Sequence, residues 1–125
     1  MSGRETVEAW IATMNARNVP GMDAVFHEDA IMEWPQSLER IVGGDNRRAV
    51  YGAFPQLPTF TPRRIMGEGD LWIAEATLDY GGGAVYQAVF ILEMRDGKIA
   101  KETAYWAESF PAPEWRAAWV EHMEA

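Results

Sequence analysis

Cysteine is absent from the 125 residues of this chain, and histidine occurs only twice. Without cysteine the chain can form neither disulfide bonds nor thiolate metal sites, and cysteine usage places no constraint on its redox compartment. The two histidines, His27 and His122, lie far apart in sequence, with no metal-ligand spacing and no third partner. We therefore expect no metal site, and nothing in the sequence implies another cofactor.

Positive charge is also scarce. Lysine and arginine together number 11 against 19 aspartates and glutamates, which gives a formal net charge of −8. Phosphate backbones and anionic membrane surfaces both attract concentrated positive charge, so we expect neither nucleic-acid nor membrane partners. No apolar run is long enough to span a bilayer, and the first residues show no signal-peptide pattern. These absences predict a soluble cytoplasmic protein.

Aromatic surface, by contrast, is abundant. Hydrophobic residues make up 48% of the sequence, and six tryptophans are many for this length. The length suits one domain over residues 1–125, with a core large enough for an internal cavity. Rings of this size must be buried, line a pocket or lie in an interface.

Helical spacing marks the beginning of the chain. Ser2 and Glu5 have the spacing of a capping box, and apolar residues then recur at helical intervals. Pro20 suits the first turn of a short second helix. We expect residues 27–29 to close that helix and residues 30–34 to form a short strand.

Three further segments carry local patterns that predict a helix, a loop and a second helix. Asp45 follows two glycines and is predicted to cap a third helix. Residues 54–62 contain three prolines and are predicted to be a stiff loop. After the prolines at 111 and 113, Trp115, Trp119 and Met123 indicate a C-terminal helix.

From residue 63 onward the hydrophobic period changes to two, and glycine-containing hairpin signals separate successive runs. Strands are predicted over residues 64–68, 71–80, 85–94 and 99–109. Helices followed by such a meander predict an α+β fold. We expect a cone-shaped, curved antiparallel sheet that wraps around the N-terminal helices and encloses an apolar cavity.

Four segments carry a family resemblance: the end of the opening helix at residues 14–16, HEDAIMEWP at residues 27–35, residues 49–51, and the run from DGKI to AYWAE at residues 96–108. With the order of elements, they resemble the nuclear transport factor 2 superfamily and, within it, the SnoaL-like polyketide-cyclase and ketosteroid-isomerase branch. The resemblance covers nearly the whole chain and implies an apolar cavity and a homodimer. Because the superfamily hosts isomerases, cyclases, dehydratases, epoxide hydrolases and non-catalytic modules, it does not fix the reaction.

The isomerase resemblance can be followed residue by residue. It implies that Trp10 stands at the position of the oxyanion-donating tyrosine, Trp34 at that of the general-base aspartate, and Phe90 at or near that of the second aspartate. Ketosteroid isomerase chemistry in its usual form is therefore excluded, and no Asp-Arg-Asp set of an epoxide hydrolase can be assigned. Tyr51 matches a tyrosine that supports the oxyanion donor, and Trp106 matches a cavity-lining tryptophan.

Glu102 is the strongest candidate for acid–base chemistry. Strand alternation places it on the same face as Trp106, so both face the cavity if either does. The resemblance implies that SnoaL-like cyclases carry a carboxylate at about this place. Loss of hydration would raise the pKa of Glu102 toward neutrality and suit proton transfer. The alternative is a structural salt bridge with Arg63 or Arg64, which would lower that pKa.

We predict that Glu102 takes a proton next to a carbonyl group while Tyr51 or Tyr86 stabilises the enolate. Arg63 is a candidate clamp for that anion, although the usual exposure of arginine favours a solvated or dimer-face charge. The predicted binding residues share large aromatic rings: Trp10, Trp34, Tyr51, Trp72, Tyr86, Phe90 and Trp106.

The predicted partner is a small apolar or aromatic molecule. Isomerisation, cyclisation and dehydration share the same first proton transfer, so the sequence does not separate them. The alternatives are a binding protein that holds an apolar ligand without turnover, and a structural dimerisation module.

Overall fold

The computed structural model describes residues 2–123, which begin with helix α1 (Gly3–Asn15). The predicted capping box is present: the Glu5 amide donates to Ser2 Oγ at 3.1 Å, and the Ser2 amide donates to Glu5 Oε1 at 2.9 Å. These two bonds satisfy amide groups that a helix start otherwise leaves free. Buried residues of α1 recur at helical spacing and form one face against the sheet: Thr6, Val7, Trp10, Ile11 and Met14.

The second predicted helix is shorter than the sequence pattern suggests. Only a 3₁₀ turn (Pro20–Ala24) forms, and strand β1 (Phe26–Trp34) begins two residues later. Residues 27–29 are therefore extended, and the prediction that they close a helix is wrong. The reason is tertiary: the Ile99 amide donates to the Val25 carbonyl at 2.8 Å and Phe26 pairs with Ile99, so strand pairing overrides the local helical pattern.

Strand β2 (Glu39–Val42) and helix α2 (Gly44–Ala53) follow. Strand β2 was not predicted, because its four residues lack an alternating pattern long enough to recognise. Helix α2 has no side-chain cap; Gly43, at a φ of 83°, occupies the capping position, and the Asp45 carboxylate instead accepts from Arg48 at 2.8 Å. The prediction of Asp45 as the cap is therefore wrong.

Four long strands complete the chain: β3 (Thr59–Glu68), β4 (Leu71–Asp79), β5 (Val85–Arg95) and β6 (Lys98–Glu108). Strand β3 begins inside the segment that was predicted to be a loop. It tolerates Pro62 because it lies at the edge of the sheet, and a bulge interrupts its pairing between Pro62 and Arg64.

The six strands form one curved, unclosed sheet in the order β2-β1-β6-β5-β4-β3. All neighbouring pairs are antiparallel except β1 and β6, which run parallel. The N-terminal helices cover the concave, inner face. With the meander formed by β3 to β6, this arrangement confirms the predicted α+β fold.

The centre of the core is aromatic. Trp10 of α1 meets Phe60 and Phe90 of the inner sheet face, with ring centroids 5.2 and 5.0 Å apart. Phe60 and Phe90 are themselves 5.0 Å apart, so the three rings form a closed cluster. The cluster fixes α1 against the middle of the sheet.

The C-terminal segment departs from the predicted helix. It contains only a 3₁₀ turn (Glu114–Trp119), and no residue of that turn is buried. A helical pattern alone does not sustain a helix without a surface to pack against. No helix within residues 2–123 combines the length and apolar character that crossing a membrane requires.

Candidate functional site

Glu102 lies in the middle of β6 on the inner face and is fully buried. Its register partners are Met32 on β1 and Leu92 on β5, and both are apolar and almost fully buried. Within residues 2–123, neither carboxylate oxygen has a hydrogen-bond partner at ordinary distance and angle. A buried carboxyl group without partners is costly to ionise.

Burial raises the pKa of Glu102 to about 7, and this loss of hydration outweighs two opposing influences. The Trp34 indole, whose approach to the carboxyl group falls outside ordinary hydrogen-bond geometry, and the positive charge of Arg47 each lower the pKa. Neither arginine proposed as a salt-bridge partner reaches the acid. Arg64 instead donates to Glu75 at 2.6 Å on the outer face, and Arg63 is exposed.

The carboxyl group of Glu102 faces a cavity of about 30 Å³. The lining residues are mostly aromatic or aliphatic and come from both helices, the proline-rich loop and the sheet: Met14, Trp34, Tyr51, Phe54, Leu57, Pro58, Leu78, Tyr80, Phe90, Glu102, Ala104 and Trp106. This volume holds a water molecule, for which about 10–15 Å³ suffices, but not a ring.

A wider space of about 310 Å³ adjoins the cavity at the β4–β5 hairpin. Phe54, Tyr80 and Trp106 line both spaces and separate the buried acid from the solvent side. Tyr86 completes the outer space, with its ring centroid 5.2 Å from that of Tyr80. We call this outer space, lined by Phe54, Tyr80, Gly82, Ala84, Tyr86 and Trp106, the mouth.

Five predicted site residues meet at the cavity: Trp34, Tyr51, Phe90, Glu102 and Trp106. Tyr51 projects from α2 and is almost fully buried. Burial raises the pKa of the Tyr51 hydroxyl well above its usual value, and the nearby Glu102 raises it further. The hydroxyl therefore stays protonated and is available as a hydrogen-bond donor.

Four predicted residues do not line the cavity; Tyr86 lines only the mouth, and the other three line neither space. Trp10 lies one layer deeper, in the ring cluster of the core. Trp72 packs on the start of α1, where its ring occupies the space beside Gly3 and its indole nitrogen donates to the Gly69 carbonyl at 3.0 Å. Arg63 lies at the β3 bulge and faces the outer groove, because the extra residue of the bulge breaks the alternation on which its inward orientation depended.

Arg47 is a site residue that the sequence reasoning missed. Its side chain is only 2% exposed; Nη2 donates to Asp23 Oδ1 at 2.6 Å and Cζ lies 4.6 Å from the Phe26 ring centroid. Nε and Nη1 have no partner within residues 2–123. One signal could have found it: position 47 is four residues before Tyr51, on the same face of a predicted helix.

Three residues within 2–123 carry buried polar side-chain atoms without a hydrogen-bond partner. Besides the Glu102 oxygens and the two Arg47 nitrogens, these atoms include Trp10 Nε1. Buried polar groups of this kind are normally satisfied by ordered water or by a ligand. Among residues 2–123, no three histidine, aspartate or glutamate side chains are grouped so as to hold a metal ion.

A family model described as a SnoaL-like domain matches residues 7–102, which is most of the chain. The chain belongs to the SnoaL-like family. No curated protein has a sequence that matches this SnoaL-like chain.

Solved structures extend the comparison over the full fold. An NTF-2 like protein of unknown function from Burkholderia xenovorans LB400 is 38% identical; 98% of this chain and 95% of that chain align, with a TM-score of 0.87. A provisionally assigned ketosteroid isomerase from Kribbella flavida DSM 17836 is 27% identical over 98% of this chain and 90% of its own, again with a TM-score of 0.87. An epoxide hydrolase of the LEH-like type from M. tuberculosis shares the fold alone, at 21% identity, 84% and 82% coverage and a TM-score of 0.72.

Proposed function

We propose that this SnoaL-like protein is a cofactor-independent enzyme in which Glu102 transfers a proton on an apolar carbonyl compound, as an isomerase, cyclase or dehydratase requires. The observation that carries the proposal is the unpartnered, fully buried carboxyl group with a pKa of about 7 at the end of an aromatic-lined entrance. A general base is most effective when its pKa lies near the working pH. The relationship to the Kribbella flavida protein supports the same class of chemistry.

The proposed step begins with ionised Glu102. One carboxylate oxygen takes a proton from the carbon next to the substrate carbonyl. The electron pair of that C–H bond forms a new C=C bond, and the π pair of the carbonyl moves to its oxygen, which gives an enolate. The Tyr51 hydroxyl donates a hydrogen bond to this oxygen, and the positive charge of Arg47 favours the added negative charge. Protonated Glu102 then returns the proton to another carbon or to a leaving oxygen.

The two connected spaces suggest which part of a substrate lies in the cavity and which part lies in the mouth. The inner cavity, at about 30 Å³, accepts only the reacting edge of a molecule, whereas the mouth, at about 310 Å³, accepts its apolar body. Four aromatic rings surround the mouth, and charged side chains are absent from its lining within residues 2–123. A flat or ring-containing molecule without a net charge matches this surface.

The direct experiment measures exchange of carbon-bound hydrogen by NMR. Incubation of 2-tetralone in deuterium oxide should show exchange next to the carbonyl above the buffer rate, and Glu102→Gln should abolish it. Glu108→Gln makes the same change at an exposed position of the same strand and should leave the rate unchanged. Exchange that survives in Glu102→Gln, or a titration of Glu102 near the ordinary value of 4.5, would contradict the proposal.

Ligand binding without turnover is the second candidate, and the small inner volume favours it. A fluorescent apolar probe that binds the mouth, in a protein that exchanges no substrate hydrogen, would support this candidate over catalysis. Trp106→Ala should then weaken binding, because Trp106 lines both the cavity and the mouth.

We also propose a homodimer through the outer face of the sheet. Half-buried or exposed apolar side chains cover that face: Ile31, Met66, Ile73, Val85, Val89, Ile91 and Tyr105. Charged side chains on the same face form ion pairs with one another, such as Arg64–Glu75 at 2.6 Å and Lys101–Glu33 at 3.0 Å. A face that is apolar and locally neutral suits contact with its own copy. Sedimentation should show a dimer that Val89→Asp dissociates.

A further inference from the structure

The chain that follows β6 carries large apolar side chains that nothing covers. We define the C-terminal arm as residues 110–123. Phe110 is 74% exposed, Trp115 is 73% exposed and Trp119 is 80% exposed. Aromatic side chains each bury about 150–250 Å² when covered, so these three rings leave several hundred Å² of apolar surface in water. That approaches the largest apolar patch of a typical monomer, which is about 300–600 Å².

The arm is attached to the sheet at its beginning. The Ser109 amide donates to the Val85 carbonyl at 2.9 Å, and the Gln87 side-chain amide donates to Ser109 Oγ at 3.2 Å. These bonds extend the β5–β6 pairing to the last residue before the arm. The direction in which the arm leaves the sheet is therefore fixed.

The far end of the arm returns to the outer face. His122 and Met123 line a groove of about 850 Å³ together with Arg63 and Glu75 of the distant strands β3 and β4. Apolar residues of the central strands, including Val85 and Tyr105, form part of the groove floor. The arm thus spans the outer face without closing onto it.

An arm that packed on its own sheet would cover its tryptophans and the groove floor at once. The structure instead leaves Trp115 and Trp119 mostly exposed, and their 3₁₀ turn has no buried residue. Two apolar surfaces, the tryptophans of the arm and the apolar side chains of the outer face such as Val85 and Tyr105, therefore remain exposed in residues 2–123. Such surfaces mark contacts with another molecule.

Charge and area indicate which molecule covers them. The chain has a net charge of −8, which disfavours nucleic acids and anionic membranes. The outer face pairs both signs, as Arg64–Glu75 shows, and the arm adds Arg116, whose Cζ lies 5.5 Å from the Trp115 ring centroid. A second copy of the chain presents the same mixture of charges and the same apolar side chains. A stable interface buries about 800 Å² of surface on each partner. At about 150–250 Å² each, the three exposed rings of the arm would supply several hundred Å² of that area, and the apolar side chains of the outer face would add to it.

We propose that the C-terminal arm is a clasp that closes over a second copy of this chain docked on the outer face, with Trp115 and Trp119 buried in the contact. The inference rests on the proposed homodimer and adds the element that secures it. Two-fold symmetry gives each dimer two clasps. Because both copies carry the same sequence, a substitution in the arm changes both clasps and should weaken the dimer at two places.

Analytical ultracentrifugation of the full chain over a range of concentrations tests the clasp. The double variant Trp115→Ser/Trp119→Ser should raise the dimer Kd at least tenfold. A circular dichroism spectrum like that of the wild type and a cooperative thermal transition would show that the double variant folds. Leu38→Ser removes an apolar side chain that is 93% exposed in the β1–β2 turn and should leave the Kd unchanged.

The possible results separate the two proposals. A wild-type dimer with the same Kd in the double variant overturns the clasp and leaves the homodimer standing. A wild-type chain that stays monomeric at every concentration overturns both. A dimer weakened by the double variant and by Val89→Asp, but not by Leu38→Ser, supports the clasp on the outer face.

Discussion

Trp34 and Trp106 meet edge to face beside the buried acid, with ring centroids 5.4 Å apart and ring planes at 87°. The two residues lie on strands β1 and β6, which run parallel, and both line the cavity of Glu102. Trp106 is also fixed through its backbone, because its amide donates to Gln36 Oε1 at 2.6 Å. The ring pair therefore forms a rigid wall between the carboxyl group and water.

Removing one ring of this wall should lower the pKa of Glu102. Because burial is the largest cause that raises the pKa to about 7, Trp106→Ala should admit water and move it below 7. Carbon-13 NMR of the glutamate carboxyl groups measures the shift directly, and the pH profile of hydrogen exchange should move to the acid side. Trp115→Ala removes an exposed tryptophan and provides the control.

Removing the Arg47 charge should move the same pKa in the opposite direction. Arg47 lowers the pKa of Glu102, so Arg47→Met should place it above 7 and shift the exchange profile toward alkaline pH. Arg48→Met is a matched control: Arg48 shares Asp23 as a partner, at 2.9 Å, but lies in the exposed part of that network. An identical shift in both variants would show that disturbance of α2, and not the buried charge, is responsible.

The raised pKa also predicts a pH-dependent stability. Glu102 holds its proton in the folded state up to about pH 7, whereas the unfolded chain releases it near 4.5. Its contribution is therefore complete below pH 4.5 and is lost as the pH rises through 7. The difference corresponds to about 3 kcal/mol at most, taking about 1.4 kcal/mol for each pH unit.

Glu102→Gln should remove that dependence. In urea unfolding, the variant should gain stability over the wild type between pH 5 and pH 8, by about 1–3 kcal/mol at the upper end. The quantity to compare is the difference in unfolding free energy between the variant and the wild type. Paired carboxyl groups such as those of Asp29 and Glu33 have lowered pKa values, so they stabilise both proteins less in acid. A constant difference across this range would show that Glu102 ionises in the folded protein as it does in the unfolded chain, and so would contradict the raised pKa.

The hydroxyl of Tyr51 should matter to the reaction more than to binding. Tyr51→Phe keeps the ring in the cavity and removes the donor to the enolate, so we expect kcat to fall about 10²-fold with little change in KM. Tyr80→Phe removes a second hydroxyl from the same cavity lining and should have a smaller effect, since Tyr80 lies toward the mouth. Equal losses in both variants would argue against a specific role for Tyr51.

The fold was largely predictable because its long strands and first helix carry strong periodic patterns. The capping box at Ser2 and the meander after residue 63 required only local information. The errors fall where tertiary pairing decides: residues 27–29 became strand because β6 pairs beside them, and the proline-rich loop became the beginning of an edge strand. The predicted C-terminal helix does not form for the opposite reason: within residues 2–123, its tryptophans do not pack against another part of the chain.

The site was predictable in part. Strand alternation placed Glu102 and Trp106 on one face, the family resemblance indicated Phe90, and the structure brings all three to one cavity. Alternation fails at a bulge, which is why Arg63 lies outside. No local pattern marks Arg47 as buried, because arginine is normally exposed and its environment is created by Asp23 and Phe26 from other elements.

The position of β6 in the sheet has a consequence for how the protein forms. Strand β6 is the last strand in the sequence but lies between β1 and β5, so Ile31 must find Lys101 across most of the chain. Pairings between such distant segments are slow to form, and until they do the edges of β1 and β5 remain open. During synthesis, β1 and β5 cannot be joined before β6, at residues 98–108, has left the ribosome. Glu102 should therefore be among the last residues to be enclosed, and chains that end before β6 should be prone to aggregate.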